Sequence, residues 1–191
     1  IPVGKWIIQN AFSMCTECRK YYPEFRVSIN LSYVQILKSP LMMELKQIID
    51  HSGISCSGII VELTESGYLE GTPAVRSVWN DMKQLRIQIA LDDFGTGYSN
   101  LMNISNLEPD IVKLDRGFTL KALSRSYEYQ LMQYVIEMVH KLNQYVCVEG
   151  VETKEDLEKI KALGPDLIQG YYYSKPCSRD EFLKKFFDYS E

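Results

Sequence analysis

Short apolar segments alternate along the chain with longer amphipathic segments. Where apolar residues recur every three or four positions, the spacing predicts a helix. The first helix is expected over residues 4–20, with an apolar face formed by Trp6, Ile7, Ala11, Met14 and Cys15. The same spacing predicts helices at residues 40–52, 72–85, 120–142, 154–162 and 178–187. Ser178 begins the last of these, and Glu181 three residues later completes a capping box.

Between these helices lie short segments that are rich in β-branched residues. They predict six strands, at residues 25–31, 58–64, 87–91, 110–114, 145–148 and 166–169. Residues 92–106 are rich in Gly, Ser, Asn and Thr and are expected to form a loop. Regular alternation of strand and helix predicts an α/β fold with a parallel sheet covered by helices.

Two α/β architectures are compatible with this order, an open doubly wound sheet and a closed barrel. An open sheet that binds nucleotides carries a Gly-rich phosphate loop after its first strand, and no such loop occurs in the sequence. Polar residues follow nearly every predicted strand instead. In a β/α barrel these carboxyl ends converge on the face where active sites lie, so the sequence favours the barrel.

The polar residues at the strand ends are mostly acids and amides. In chain order they are Asn30, Glu62 with Glu65, Asp92 with Asp93, Lys113 with Asp115, Glu149 with Glu152, and Gln169. Carboxylates so close together repel one another unless cations lie among them. The donors are oxygens, which suit Mg²⁺, Mn²⁺ or Ca²⁺ better than zinc. Two such ions form the clamp used in phosphodiester hydrolysis, and a lysine beside them would stabilise developing negative charge.

A structural explanation competes with this chemical one. A single acid after a strand usually caps the next helix, and Asp92-Asp93 followed by Gly95 and Gly97 is also typical of a turn. Lys113 fits that explanation poorly, because a lysine inside a buried strand is costly without anionic partners. Polar residues at the end of each of the six predicted strands are harder still to explain as helix caps, so the sequence favours a functional site.

Length, charge and cysteine content bear on the number of domains, the possible partners and the cellular location. The 191 residues favour a single domain, 1–191, and the net charge of −4 argues against binding to duplex nucleic acid. No apolar run reaches the ~20 residues that cross a bilayer, so no membrane insertion of this domain is expected. Five cysteines are interpreted as reduced thiols in the cytoplasm. Cys15 and Cys18 form a Cys-x-x-Cys pair, which is interpreted as two small helix residues because no second zinc half-site accompanies it.

Six sequence strings resemble the EAL domain in order and spacing. They are Val-Ser-Ile-Asn-Leu-Ser (27–32), Val-Glu-Leu-Thr-Glu-Ser (61–66), Ala-Leu-Asp-Asp-Phe-Gly-Thr-Gly-Tyr-Ser-Asn-Leu (90–101), Val-Lys-Leu-Asp-Arg (112–116), Val-Glu-Gly-Val-Glu-Thr (148–153) and Ile-Gln-Gly-Tyr-Tyr-Tyr-Ser-Lys-Pro (168–176). The resemblance implies a modified (β/α)8 TIM-type barrel. It also implies hydrolysis of cyclic di-GMP to linear pGpG with two Mg²⁺ or Mn²⁺ ions, and inhibition by Ca²⁺.

The resemblance assigns roles to individual residues. It implies that the metal ligands are Asn30, Glu62, Asp92, Asp93 and Glu149. It implies that Lys113 is the catalytic lysine and that Glu152 and Gln169 contact water or substrate, so Lys113, Glu149 and Glu152 are the expected catalytic residues. Glu65 resembles the glutamate that stabilises the Asp-Asp-Phe-Gly loop. That loop and the helix near residues 116–140 resemble a homodimer surface, and the expected location is the cytoplasm, including the cytosolic part of a membrane-anchored protein.

One departure from the family pattern matters for activity. The Glu-Ala-Leu string and its following Arg do not occur in these residues. They are expected upstream of Ile1, so the first two barrel strands are expected to be absent and this chain alone to be inactive. The alternative is a non-catalytic cyclic di-GMP receptor or a regulatory interaction domain.

Overall fold

The structure is a computed structural model that describes residues 2–32, 35, 41–52, 56–64, 73–96, 104 and 108–187. Its helices are α1 (Pro2–Cys18), α2 (Leu41–Ser52), α3 (Pro73–Gln84), α4 (Arg116–Ser124), α5 (Ser126–Lys141), α6 (Lys154–Lys161) and α7 (Arg179–Phe187). Its strands are β1 (Val27–Asn30), β2 (Ile59–Thr64), β3 (Gln88–Phe94), β4 (Ile111–Leu114), β5 (Tyr145–Glu149) and β6 (Leu167–Gln169). The predicted α/β alternation with six strands is confirmed for the described residues.

The strands follow the chain order in the sheet, from β1 to β6. Strands pair in parallel, with defined residue partners, in β1–β2, β3–β4, β4–β5 and β5–β6. Parallel neighbours need a crossover between them, and described helices supply it for β1–β2, β4–β5 and β5–β6. The chain groups into two compact units: the first contains residues 1–63, 67–89 and 177–191, and the second contains residues 64–66 and 90–176.

In the first unit, the buried residues of α1 match only in part the apolar positions that predicted this helix. Ile8, Phe12, Cys15 and Cys18 are buried, whereas Trp6 and Ile7 are exposed. The buried positions are separated by four, three and three residues, which keeps them on one side of the helix. The prediction of a helix was therefore right, although Trp6 and Ile7, two of the apolar positions that supported it, lie outside the core. Apolar residues occur on more than one side of α1, so periodicity alone did not select the buried side.

Cys15 and Cys18 are ordinary core residues of α1, as predicted. Both are buried, and none of the five cysteines, which all lie in the described ranges, forms a disulfide bond. Burial is the main reason that the pKa of Cys18 rises to about 11, with the nearby Cys15 contributing further. Burial likewise raises the pKa of Cys15. Both groups are therefore protonated thiols at neutral pH, which suits packing rather than redox chemistry.

The second unit has a core of strand and helix side chains. Ile111, Val112 and Leu114 of β4 are buried, and Met132, Ile136 and Val139 of α5 cover the strands at helical spacing. Each such side chain stabilises the fold by about 1.5–3 kcal/mol relative to exposure. Thr153 and Asp156 form a capping box that begins α6. This rigid frame sets the positions of the strand ends.

Two predicted boundaries in the second unit were wrong. The single helix predicted at 120–142 is two helices, because Arg125 takes an extended conformation (φ −139°, ψ 130°) that ends α4 and precedes α5. The loop predicted from residue 92 begins later, because β3 continues through Phe94. At the carboxyl end of the chain, the Ser178 amide and hydroxyl both donate to Glu181, which confirms the predicted capping box of α7. No helix in the described ranges is both long and apolar enough to span a membrane.

Candidate active site

Lys113 is the central group of the site in the second unit. It lies on β4 with only 4% of its surface exposed. Its Nζ lies 3.0 Å from Asp92 Oδ1 on β3 and 2.6 Å from Glu149 Oε1 on β5. Carboxylates from the two neighbouring strands therefore compensate the buried ammonium, as the sequence analysis required for a lysine inside a strand.

The end of β3 carries an irregularity at the paired aspartates. The register with β4 shifts between Leu91 and Phe94, and Asp93 has a positive φ of 60°. Asp93 N donates to Asp92 Oδ1 at 3.0 Å, which supports the turn of the backbone. Bulges of this kind redirect side chains and are common beside active sites. The β3 irregularity thus explains how two consecutive acids can both lie near Lys113 although successive strand residues normally alternate between faces.

The Asp93 carboxyl is in an anionic environment. Burial raises its pKa above the usual range, and the charges of Asp92 and Asp115 raise it further, while Lys113 acts in the opposite direction. Asp115 itself caps α4, accepting a hydrogen bond from Gly117 N at 2.8 Å. The described carboxylates around Asp93 therefore carry more negative charge than Lys113 alone neutralises.

Glu149 and Gln169 lie beside one another at the carboxyl ends of β5 and β6. They are register partners in the parallel pair. The backbone beyond Glu149 is held against β6, because Val151 N donates to Gln169 O at 3.3 Å and Tyr172 N donates to Val151 O at 3.0 Å. The two predicted residues are thus brought together, and the Gln169 side chain is exposed to solvent.

Glu152 follows on the same segment and pairs with Arg116 at the start of α4. Arg116 Nη2 and Nε both donate to Glu152 Oε1, at 2.7 and 3.2 Å. This hydrogen bond, together with the Glu152 charge, raises the pKa of Arg116. Arg116 was not among the functional residues predicted from the sequence. A usable signal was present, because a cation in the first turn of a helix opposes the helix dipole and calls for an acidic partner.

Two predicted ligands belong to the first unit. Asn30 and Glu62 are register partners at the ends of β1 and β2, where Glu62 is buried and Asn30 is exposed. Leu31 N donates to Glu62 O at 3.0 Å and continues the β1–β2 pairing beyond Asn30. Glu65, predicted to stabilise the loop, lies outside the described residues.

The chemistry of the donors fits hard divalent cations. Asp92, Asp93 and Glu149 carry carboxylate oxygens, which suit such cations, and burial together with the charges of Asp92 and Asp115 raises the pKa of Asp93. Within the ranges that the structure describes, no three His, Cys, Asp or Glu side chains are arranged to hold a metal ion. The Lys113 ammonium lies between Asp92 and Glu149 and is the cation they share. The donor types therefore suit Mg²⁺ or Mn²⁺, while the carboxylates are arranged around lysine.

Comparison with known proteins supplies the family. The sequence model of the EAL domain matches residues 1–176. The cyclic di-GMP phosphodiesterases PdeF and PdeR of Escherichia coli (strain K12) are 30% and 31% identical, over 91% and 92% of this chain. The chain spans only 23% and 27% of their lengths.

Solved structures agree with this match. The EAL enzyme Bd1971, bound to cAMP and cyclic di-GMP, superposes with a TM-score of 0.90 at 29% identity, covering 96% of this chain and 51% of that one. The phosphodiesterase PaMucR in complex with cyclic di-GMP gives a TM-score of 0.87 at 25% identity, covering 95% and 74%. These matches confirm the predicted β/α fold of the TIM type. The chain belongs to the EAL domain family.

Proposed function

We propose that the protein containing this chain hydrolyses cyclic di-GMP to linear pGpG in a metal-dependent reaction. The observation that carries the proposal is the buried Lys113, paired with carboxylates of both neighbouring strands at 3.0 and 2.6 Å. Support also comes from relatives named as cyclic di-GMP phosphodiesterases and from EAL structures that hold cyclic di-GMP. The ligand and the reaction are carried to this chain from these proteins.

The proposed roles follow from charge and position. Asp92, Asp93 and Glu149 hold the cations, and the family resemblance adds Asn30 and Glu62 as ligands. Two Mg²⁺ or Mn²⁺ ions, when bound, would polarise the phosphodiester and activate water. Lys113, paired with its two carboxylate partners, stabilises negative charge that develops on the phosphoryl oxygens.

Glu152 and Gln169 hold water or substrate beside the strand ends, and Glu65 stabilises the loop after β3. The bond between phosphorus and the 3′ oxygen of one nucleotide breaks as water oxygen bonds to phosphorus, which opens the ring to pGpG. The proton lost by water passes to solvent or to a nearby carboxylate such as Glu149. The leaving 3′ oxygen takes a proton from solvent and becomes a hydroxyl.

A homodimer is proposed as the working assembly. On α5, Tyr127, Leu131 and Tyr134 are 74%, 43% and 66% exposed and are spaced by four and three residues. They form one apolar stripe on the helix that resembles the family's dimer surface, and a second copy would bury it. The cysteines form no disulfide bonds in the described residues, which fits the proposed cytoplasmic location.

The test uses the full-length gene product that carries these residues. Cyclic di-GMP is incubated with the protein and Mn²⁺, and the products are separated by chromatography. Appearance of pGpG, its loss on treatment with EDTA and its decrease when Ca²⁺ replaces Mn²⁺ are expected. Binding of cyclic di-GMP without turnover would favour the non-catalytic receptor. The absence of both binding and turnover would refute the proposed ligand.

A further inference from the structure

Arg116 and Glu152 form a directed contact at the edge of the candidate site. Two donors of one guanidinium, Nη2 and Nε, reach the same carboxylate oxygen, Oε1. The second oxygen, Oε2, keeps its lone pairs for another partner. Two hydrogen bonds to one oxygen restrict the rotation of the Glu152 side chain more than a single contact would.

Stability does not explain this pair. The Arg116 and Glu152 side chains are 57% and 39% exposed, and exposed ion pairs contribute little because water screens them. Arg116 also occupies the first position of α4, where a cation opposes the helix dipole. An ion pair that contributes little stability and places a cation at the start of its own helix calls for another explanation.

The backbone around Glu152 is shaped to admit the arginine. Gly150 has a φ of +80°, and a Cβ there would lie 2.3 Å from Arg116 Cγ and 2.8 Å from Arg116 Cβ. The stem of Arg116 therefore fills the space that a side chain at position 150 would need. Val151 is fixed on its other side by the hydrogen bonds with Gln169 and Tyr172. The segment that joins Glu149 to Glu152 is thus held between the start of α4 and the end of β6.

We propose that Arg116 is a positioning residue that orients the Glu152 carboxylate toward the strand ends where substrate binds. The inference rests on the proposed phosphodiesterase function. Arg116 acts through Glu152, since its two hydrogen bonds hold Oε1 of that carboxylate. Removing the guanidinium leaves Glu152 in place but free to rotate, so turnover suffers while the fold persists.

The experiment compares variants of the full-length gene product with Mn²⁺. Arg116→Ala is expected to lower kcat about tenfold, as loss of residues that orient a reacting group does, and to change KM for cyclic di-GMP little. Arg116→Lys, which keeps the charge, is expected to recover part of kcat, and added guanidinium ion is expected to recover part of the activity of Arg116→Ala. The double variant Arg116→Ala/Glu152→Gln is expected to be no slower than Glu152→Gln alone.

A matched control is Lys159→Ala on α6, which removes an exposed ion pair of 2.8 Å with Glu155 in the same unit. It is expected to leave kcat unchanged, and its Tm is expected to equal that of Arg116→Ala. Cyclic di-GMP affinity, measured by calorimetry, is expected to be similar in Arg116→Ala and the unaltered protein.

Two results separate the proposals. Wild-type kcat in Arg116→Ala, or additive losses in the double variant, would overturn the positioning role alone. If the unaltered protein shows no turnover, the phosphodiesterase proposal fails, and the positioning role fails with it. If Arg116→Ala does not fold, the double variant Arg116→Lys/Glu152→Gln is compared with its two single variants. Additive losses of kcat would overturn the positioning role, and non-additive losses would support it.

Discussion

The Lys113 ammonium on β4 lies 2.6 Å from the Glu149 carboxylate on β5, and both side chains are largely withdrawn from solvent. Replacing Lys113 by Met leaves Glu149 without its nearest positive charge. Since removing one partner of a buried pair is costly, Lys113→Met is expected to lower the free energy of unfolding of the metal-free protein by about 3 kcal/mol. Denaturant unfolding measures this loss, and Lys159→Met on exposed α6 is the control.

The same variant tests the catalytic role. Loss of a group that stabilises developing charge is expected to lower kcat by about a hundredfold or more. Mn²⁺ is expected to restore part of the lost stability, because a divalent cation replaces the missing ammonium, but not the turnover. A Lys113→Met protein with wild-type turnover would contradict the role given to this lysine.

Asp93 is expected to lower the stability of the metal-free protein while it strengthens cation binding. Its carboxyl lies near the like charges of Asp92 and Asp115. Asn tolerates the positive φ at this position, so Asp93→Asn keeps the backbone and removes the repulsion. The metal-free protein is expected to become more stable by about 0.5–1 kcal/mol, while its Mn²⁺ affinity falls at least about tenfold.

Thermal unfolding without metal and titration with Mn²⁺, followed by electron paramagnetic resonance, measure the two effects. Asp50→Asn, the same change at an exposed position of α2, is the control and is expected to alter neither. An Asp93→Asn protein that binds Mn²⁺ as tightly as the unaltered protein would exclude Asp93 as a ligand.

Much of this site was predictable from the order of residue types. A lysine inside an apolar strand needs anionic partners whatever the fold, which is why Lys113, Asp92 and Glu149 could be grouped before the structure was known. Parallel strands of an α/β fold bring their carboxyl ends to one edge, so Gln169 beside Glu149 followed from topology. These predictions depend on charge and on strand direction, which the sequence carries locally.

Other features depend on contacts between distant segments. The β3 irregularity at Asp93 arises where β3 meets β4, and the sequence predicted only a loop there. The buried side of α1 depends on what packs against it, because apolar residues occur on more than one side of that helix. A role for Arg116 could be inferred only once Glu152, which lies 36 residues away along the chain, was found beside it.

Two glycines of the second unit offer a matched comparison. A Cβ on Gly170 would lie 2.0 Å from the Val151 carbonyl oxygen and 2.5 Å from its nitrogen, whereas a Cβ on Gly164 meets nothing within 4 Å. Gly164→Ala is expected to cost about 1 kcal/mol, because its φ of +75° disfavours a side chain. Gly170→Ala must move backbone and is expected to cost about 3 kcal/mol or more.

The two variants are also expected to differ in activity. Val151 lies between Glu149 and Glu152, so displacing it in Gly170→Ala is expected to lower turnover, while Gly164→Ala retains it. Hydrogen exchange of the Tyr172 amide, which donates to Val151 O, reports the displacement directly. Equal stability losses in the two variants would show that the close approach of Gly170 to Val151 is absent in solution.

The proposed dimer makes a prediction about α5. Leu131→Glu places a charge in the middle of the exposed stripe between Tyr127 and Tyr134 and is expected to weaken dimerisation at least about tenfold. Sedimentation measures the dissociation constant. Leu142→Glu, at a similarly exposed position just beyond the same helix, is the control and is expected to dimerise normally. Unchanged dimerisation in Leu131→Glu would place any dimer interface elsewhere.

The cysteines give a prediction about pH that does not depend on catalysis. Cys177 is exposed, whereas Cys15 and Cys18 are buried and their pKa values are raised, that of Cys18 to about 11. At pH 8 only about one part in a thousand of Cys18 is thiolate, the reactive form. A short pulse of iodoacetamide at pH 8 is therefore expected to label Cys177 and to spare Cys15 and Cys18, as read by peptide mass spectrometry.

Because the folded protein holds the Cys18 proton more tightly than the unfolded chain, this group's contribution to stability is complete below pH 9. It is lost as the pH rises toward 11. Cys18→Ala is thus expected to flatten the fall in the free energy of unfolding over that interval, while Cys177→Ser leaves it unchanged. Rapid labelling of Cys18 in the folded protein at pH 8 would show that α1 does not bury this thiol in solution.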